Sequence, residues 1–284
     1  MITFAPVQHD TAAIEKYVSL FNACFPGVDK FSNAYLTWLY HDNPDGSVIG
    51  FDAWDGDVLA AHYVTIPAMA SVGGQLVRVA LSLNTATHPT YQGKGLFTKL
   101  AEMTYEAAQS QGIDAIYGVA NANSTPGFIR KLGFQLVEPL QAQVGIGAVR
   151  RAVAGQALGQ FERVHSAASL NWRCANPQNR VHARRSHGML EFFAPSVKPW
   201  LPAYAELPPV DGSELILSPP PMMSPLRLFV GLVPAAISRS ATYVAIPDRF
   251  KPSPLNFIYR SLSGRMDKLE AGSVGFSFLD FDAY

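Results

Sequence analysis

One stretch constrains this chain more than any other: His88-Pro89-Thr90-Tyr91-Gln92-Gly93-Lys94-Gly95-Leu96-Phe97. An alternating apolar run over residues 76–85 leads into it, and apolar residues at helical spacing over residues 96–109 lead out. The chain therefore passes from strand to helix through two glycines that bracket one residue. Glycine lets backbone come close to an anion, and the first N–H groups of a helix have no intrahelical acceptor. The positive end of the helix dipole lies behind those groups, so the turn suits phosphate. Short glycine turns are also ordinary connectors, so the neighbouring sequence decides what this one means.

After Gly112 the chain returns as a strand over residues 113–119. A strand–helix–strand crossover makes the two strands parallel, with a right-handed connection. Then comes Asn121-Ala122-Asn123-Ser124-Thr125-Pro126-Gly127-Phe128-Ile129-Arg130-Lys131-Leu132-Gly133-Phe134. Taken together, these features resemble the GNAT (GCN5-related) N-acyltransferase superfamily. Its acyl-CoA signature is Arg/Gln-x-x-Gly-x-Gly/Ala at a strand-to-helix turn, followed by a strand, an Asn-containing turn and a helix ending in Lys-Leu-Gly-Phe. Gln92, Gly95 and the Lys131-Leu132-Gly133-Phe134 ending match, whereas Phe97 stands where the last small residue belongs. The resemblance is carried chiefly by about residues 76–137 and extends from the N-terminus.

The resemblance implies acetyl-CoA or another acyl-CoA as co-substrate and a small-molecule amine as acceptor; the sequence offers no cluster of metal ligands, so no metal is expected. It assigns the pyrophosphate to backbone at Gln92, Gly93, Lys94, Gly95 and Leu96, next to Phe97, and the thioester carbonyl to backbone at Thr85, Ala86 and Thr87. Asn121, Ser124 and Phe128 would line the thioester from the following turn. Many members place a glutamate base near the end of the strand before the signature, where this chain has Asn84 and Thr85. Many protonate the thiolate with a tyrosine five residues before the final Phe of the ending, and here that position is Ile129. The catalytic candidates are therefore His62, Asn84, Asn123 and Tyr117, with His41 and His88 as further histidines suited to proton transfer near neutral pH. The plainer readings are a helix cap for Asn123, a turn-fixing residue for His88, and a structural histidine for His62. Lys94 reads equally as a phosphate contact and as a solvated turn lysine.

Composition sets limits on the rest. With 284 residues, two domains are the natural expectation, and 48% hydrophobic content supplies real cores. Lys+Arg and Asp+Glu are both 22, which argues against nucleic acid or an anionic membrane as the main partner. No apolar run is long enough for a membrane span, and no signal pattern opens the chain. Two cysteines, Cys24 and Cys174, make no disulfide framework, so a cytoplasmic location is expected. A homodimer is left open.

The first part of the chain reads β-α-α-β-β-β-α-β-α-β up to about residue 147, with helices near 9–25 and from Ser32 or Asn33, and with strands at 48–54 and 58–66 joined by Asp55-Gly56. The expected fold is α/β (an α+β mixed sheet), a GNAT domain over 1–147 followed by a degenerate GNAT-like domain over 148–284 that shapes the acceptor site. Two echoes suggest the duplication: Ser169-Leu170-Asn171-Trp172 with Asn176-Pro177 repeats Tyr35-Leu36-Thr37-Trp38 with Asn43-Pro44, and residues 254–260 resemble 126–130. Residues 152–159 read as a linker or weak helix. Residues 195–209 and 219–225 read as proline-rich loops, 215–217, 226–232 and 242–246 as short strands, and 275–281 as a terminal strand. Long members with Trp-Arg-x-x-Asn-Pro in a second half resemble acyltransferases of amino sugars, including nucleotide-linked ones. The competing readings are a non-catalytic acyl-CoA sensor, motivated by the missing glutamate and tyrosine, and a structural element, should Phe97 block the pyrophosphate.

Overall fold

The computed structural model describes residues 1–149, 159–196, 198–210, 215–220, 224–237, 240–251 and 253–282. The first half follows the expected order. It runs β1 (Ile2–Pro6), α1 (Thr11–Cys24), α2 (Asn33–Tyr40), β2 (Ile49–Asp55), β3 (Val58–Val72), β4 (Gln75–Thr87), α3 (Leu96–Ser110), β5 (Ala115–Ala120), α4 (Thr125–Lys131), β6 (Gln135–Pro139) and β7 (Gln141–Ile146). Asp10 caps α1 by accepting the Ala13 N–H, and Ser32 caps α2 by accepting that of Tyr35. Asp55-Gly56 and Gly73-Gly74 turn the chain between β2, β3 and β4, with Gly56, Gly73 and Gly74 all at positive φ.

The second half supplies β8 (Phe161–Arg163), α5 (Ala167–Cys174), β9 (His182–Ser186), β10 (Met189–Ala194), β11 (Ala203–Leu207), β12 (Leu226–Gly231), β13 (Val244–Ala245), β14 (Asn256–Ser261) and β15 (Val274–Gly275). One sheet runs β1-β2-β3-β4-β5-β14-β6, with β8 and β15 added beside β3. The other runs β13-β7-β12-β11-β10-β9. Read from β2 and from β9, the two orders correspond strand for strand. β4–β5 and β11–β12 are the parallel pairs, and every other pair along the two series is antiparallel.

The correspondence includes a reciprocal exchange. β14, from the second half, lies between β5 and β6, and β7, from the first half, lies between β12 and β13. The division expected after residue 147 therefore parts the chain without parting the sheets. In the second sheet the connection between its parallel strands carries no helix among its described residues, 208–210, 215–220 and 224–225, so nothing there corresponds to α3.

Helices α1 and α2 cover one face of the first sheet through Leu59, Val64, Ile66 and Ala86, while α3 and α4 cover the other through Ala61, Tyr63, Ala80 and Ile116. The second sheet packs on the α1–α2 side, where Leu81, Tyr117, Phe161, Leu170, Phe192 and Phe257 share one core. The Leu-x-Trp echo marks the junction. Trp38 of α2 and Trp172 of α5 stack with ring centroids 4.6 Å apart. Each indole N–H donates to the other's backbone carbonyl, at 2.8 and 2.9 Å, so the contact is two-fold in character. Ser166 caps α5 as Ser32 caps α2, and Asn176, like Asn43, accepts backbone N–H groups of the turn that follows its helix.

Four expectations are corrected. Residues 254–260 do not echo the helix at 126–130: they carry β14, held between two strands on both edges. The proline-rich 195–209 segment contains β11, because Pro202 and Pro208 fall just outside it and leave all five strand residues able to pair. Residues 215–217 form no strand, and only Ser218 bridges to Ala183. Residues 275–281 keep β pairing only at their start, where Phe276 bridges Leu232, because Ser277 and Asp280 then close a capping box on a 3-10 turn at Phe278–Asp280. The expected linker at 152–159 lies outside the described residues apart from Gly159.

Asp280 also accepts from His165 Nε2 at 2.8 Å. Burial pushes its carboxyl upward, but the His165 hydrogen bond and charge, with the Arg163 charge, hold it below the usual range. A depressed folded value means that this stabilisation is present above the unfolded pKa of about 4 and is lost as pH falls through the folded value. Unfolding stability should therefore drop below about pH 4, and Asp280→Asn should flatten that drop in a pH series of urea titrations. In the same assay Trp38→Ala should cost about 3–5 kcal/mol. The Trp38→Ala/Trp172→Ala double variant should lose less than the sum of the singles, since each removes the other's partner.

Candidate functional site

The parallel pairing of β4 with β5 covers only Val79–Ser82 against Ala115–Gly118. β4 continues to Thr87 and β5 to Ala120 without pairing to each other, so the sheet opens between them. A bulge lies at the same level. In the β3–β4 ladder Leu83 faces Val64 and Ala86 faces His62, leaving Asn84 and Thr85 opposite Tyr63 alone. Asn84 takes a φ of +49°, one of two positive values outside glycine among the described residues. The candidates Asn84, Thr85, Ala86 and Thr87 therefore lie where β4 has lost its partner on the β5 side.

The turn that follows is closed from within. His88 Nδ1 lies 2.8 Å from Thr90 Oγ1, so His88 fixes the turn. Gln92 folds back to donate to the Thr87 carbonyl at 3.4 Å. Gly93 and Gly95 have φ of +77° and +75°, and a Cβ on either would meet no protein atom within 4 Å. Their backbone twist demands glycine, and the space beside them is open. Gly95 is the N-cap of α3 and supplies no side-chain cap, so the N–H groups of Leu96, Phe97 and Thr98 are left for a ligand. Lys94 rests its ammonium 4.6 Å from the Tyr91 ring centroid, close to the same turn.

Phe97 points away from that open space. Its ring meets Tyr63 and Phe128 edge-on, with centroids 6.0 and 5.4 Å away, and it would touch a Cβ at Gly127 at 3.2 Å. It fills the gap between the starts of α3 and α4, and Phe128 with it. On the far side of the opening Asn121 builds the turn into α4: its Oδ1 accepts the N–H groups of Asn123 and Ser124, both at 3.0 Å. The capping work expected of Asn123 is thus done by Asn121. The Asn123 side chain is exposed and makes no hydrogen bond among the described residues.

Tyr117 does not join these groups. It is buried on the inter-sheet face of β5, where its hydroxyl donates to the Asp280 carbonyl at 3.0 Å and accepts from Arg163 Nη1 at 2.5 Å. Burial raises its pKa against the pull of Arg163. Strand alternation explains this: Gly118, beside the opening, and Tyr117 face opposite ways.

His62 is fully buried, yet it connects to the opening. Its Nδ1 is 2.6 Å from Asp52 Oδ1, its Nε2 is 2.9 Å from the Tyr40 hydroxyl, and Tyr40 accepts from Asn84 Nδ2 at 3.1 Å. Burial holds the Tyr40 phenol well above its ordinary pKa, so Tyr40 stays neutral. Sequence reading named His62 and Asn84 but missed Tyr40 and Asp52, which link the two. His41 pairs with Asp42 at the exposed surface and takes no part.

Comparison with known proteins bears on the fold that carries this opening. Residues 8–137 match the family model described as the acetyltransferase (GNAT) domain. The fold is similar to a GCN5-related N-acetyltransferase of Anabaena variabilis (TM-score 0.60, 11% identity, 91% of this chain and 73% of that one). It is also similar to a probable N-acyltransferase of Enterococcus faecalis (0.55, 10%, 93% and 73%) and to Eis1 of Mycobacterium abscessus (0.52, 12%, 93% and 74%). At these identities the likeness is one of fold, and it spans both sheets. No curated protein matches the sequence. Among the described residues no helix is long and apolar enough to cross a membrane.

Gly95→Ala forces a side chain into a left-handed conformation, at about 1–2 kcal/mol. It also places a methyl group over the first-turn N–H groups. Acetyl-CoA affinity measured by calorimetry should fall at least tenfold, with a smaller loss for Lys94→Ala.

Proposed function

We propose that this chain, whose residues 8–137 match the family model of the acetyltransferase (GNAT) domain, is an enzyme that transfers an acyl group directly from CoA to a small primary amine. One observation carries this reading: the β4–β5 pairing stops after Ser82, and the bulge at Asn84 and the uncapped start of α3 flank the gap. A thioester lying in that gap would have its pyrophosphate at the backbone of Gly93–Phe97 and its carbonyl at backbone N–H groups of the Thr85–Thr87 segment.

The chemistry asks for little beyond placement. Holding thioester and amine together removes up to about 7–11 kcal/mol of barrier, and a fixed donor at the carbonyl oxygen adds about 3–4 kcal/mol. Lys94 is free to swing from the Tyr91 ring to a phosphate. Asn121 and Ser124 shape the far wall through the turn, with Asn123 as the exposed side chain beside it. With Ile129 at the usual acid position and Tyr117 committed to Arg163 and Asp280, the CoA thiolate leaves to solvent, which its modest basicity permits.

Acceptor class remains the finer part of the proposal. The second sheet brings bulk to the α1–α2 side, and an amino sugar, free or nucleotide-linked, is the first class to try. The Trp172-Arg173 and Asn176-Pro177 residues that suggested it are engaged elsewhere. Trp172 stacks on Trp38, Arg173 donates to the carbonyls of Phe278 and Phe281, and Asn176 shapes its own turn. They hold the halves together, so the acceptor's identity depends on the panel.

The test is titration of the full chain with acetyl-CoA, a longer acyl-CoA and free CoA, followed by an amine panel that begins with amino sugars. The expected result is binding that depends on the acyl group, with turnover of at least one amine. Binding with no turnover of any amine would favour the sensor reading, and no binding at all would overturn the proposal.

A further inference from the structure

The buried side chains that end on Asn84 form a chain with a direction, which decides which end of the Asn84 carboxamide is free. The direction starts at Asp52, whose two oxygens face the Tyr17 hydroxyl at 2.8 Å and His62 Nδ1 at 2.6 Å. The Tyr17 oxygen already accepts the Gln8 N–H at 3.1 Å, so its proton goes to Asp52. A carboxylate accepts and does not donate, so His62 Nδ1 carries a proton. The remaining ring nitrogen, Nε2, faces the Tyr40 hydroxyl, and among the described residues Tyr40 faces only Nε2 and the Asn84 side chain.

Two arrangements satisfy every group. In one, His62 is neutral, Tyr40 donates to Nε2, and Tyr40 accepts from Asn84 Nδ2. In the other, His62 carries both protons, Nε2 donates to Tyr40, and Tyr40 donates to the carbonyl of a carboxamide turned over. The structure has the nitrogen toward Tyr40, the first arrangement, and it buries no charge beyond that of Asp52. The surroundings of His62 suit a neutral ring: it lies against the rings of Tyr17, Tyr40 and Phe21 with no exposed surface, and among the described residues Asp52 is the one charged group against it.

We infer that Asp52, His62 and Tyr40 hold Asn84 so that its carbonyl oxygen, Oδ1, is presented at the β4 bulge as the acceptor for an N–H of the incoming amine. This rests on the acyltransferase reading. Asn84 is only partly buried, and its Oδ1 takes no hydrogen bond among the described residues. An amine attacking a thioester directs its lone pair at the carbonyl carbon and its N–H bonds away, and an acceptor one residue before Thr85 meets one of them. Asn84 is then the residue that touches substrate, and Tyr40, His62 and Asp52 are positioning residues. The chain has no vacant base, because each proton in it points toward Asp52. The C–N bond forms, the C–S bond breaks, and the ammonium proton goes to water.

The test uses the full chain labelled with 15N-histidine, with the His62 signals assigned by their absence in His62→Gln. The expected spectrum has Nδ1 protonated and Nε2 bare. Asn84→Asp should change it: a carboxylate cannot donate to Tyr40, so the Tyr40 proton turns to position 84 and His62 becomes protonated on both nitrogens. A role in packing alone would leave the tautomer untouched. A wild-type His62 that is doubly protonated, or protonated on Nε2 alone, overturns the orientation, as does an unchanged spectrum in Asn84→Asp.

A second arm uses the amine that the wild-type chain acetylates fastest. Asn84→Ala should lower kcat/KM for the amine by on the order of tenfold, and Tyr40→Phe should act in the same direction. Acetyl-CoA affinity should stay unchanged in both variants. A loss seen in acetyl-CoA affinity in place of the amine term overturns the amine-holding role. If the wild-type chain binds acetyl-CoA but acetylates nothing, the acyltransferase reading falls and the amine role with it, while the tautomer still judges the orientation.

Discussion

Neither sheet of this protein is complete without a strand from the other half of the chain. β14 enters between β5 and β6, and β7 enters between β12 and β13. Each exchanged strand saturates backbone groups that would otherwise form an open edge inside its sheet. The stack of Trp38 on Trp172, with its mutual hydrogen bonds, is the same two-fold relation expressed in side chains. The second sheet and the segment that carries Asp280 to His165 pack on the α1–α2 side of the first sheet, on the side of that junction.

The exchange also frees the first sheet to open where it does. β5 is held on one edge by six residues of β14 and on the other by only four residues of β4. It therefore stays in place while β4 departs from it after Ser82. β4 in turn is held along its far edge by β3, so the bulge at Asn84 is a fixed irregularity and not a frayed end. An opening with rigid lips suits an enzyme that works by placement, because small errors of position cost rate steeply.

Much of this was legible in the sequence, and the reason is local. The start of α2 at Ser32, the reversal at Asp55-Gly56, and the helix opening at Gly95 are each set by residues within a few positions. What sequence did not show depends on register or on distant partners. A straight count back from the Asp55-Gly56 turn puts Asp52 opposite Ala61. A bulge between Ala53 and Trp54 shifts it to His62, and with it creates the pair that supports Asn84. The destination of β14 was likewise hidden, since its partners lie more than a hundred residues away. Tyr117 was misjudged because its neighbour Gly118 lines the opening and alternation turns the tyrosine to the other face. Phe97 looked like an obstacle in a signature position, yet its ring finds Tyr63 and Phe128.

The exchanged strand has a consequence for biosynthesis. β5 leaves the ribosome well before β14 is made, and at about 5–20 residues per second the interval is roughly 7–27 seconds. Throughout it, the apolar Ala115–Ala120 strand has one edge with no native partner. The nascent chain must either keep that edge from pairing with its neighbours or recruit a chaperone to cover it. The cleft that the mature protein offers to a ligand is thus bordered by a strand whose other edge is among the last to be closed.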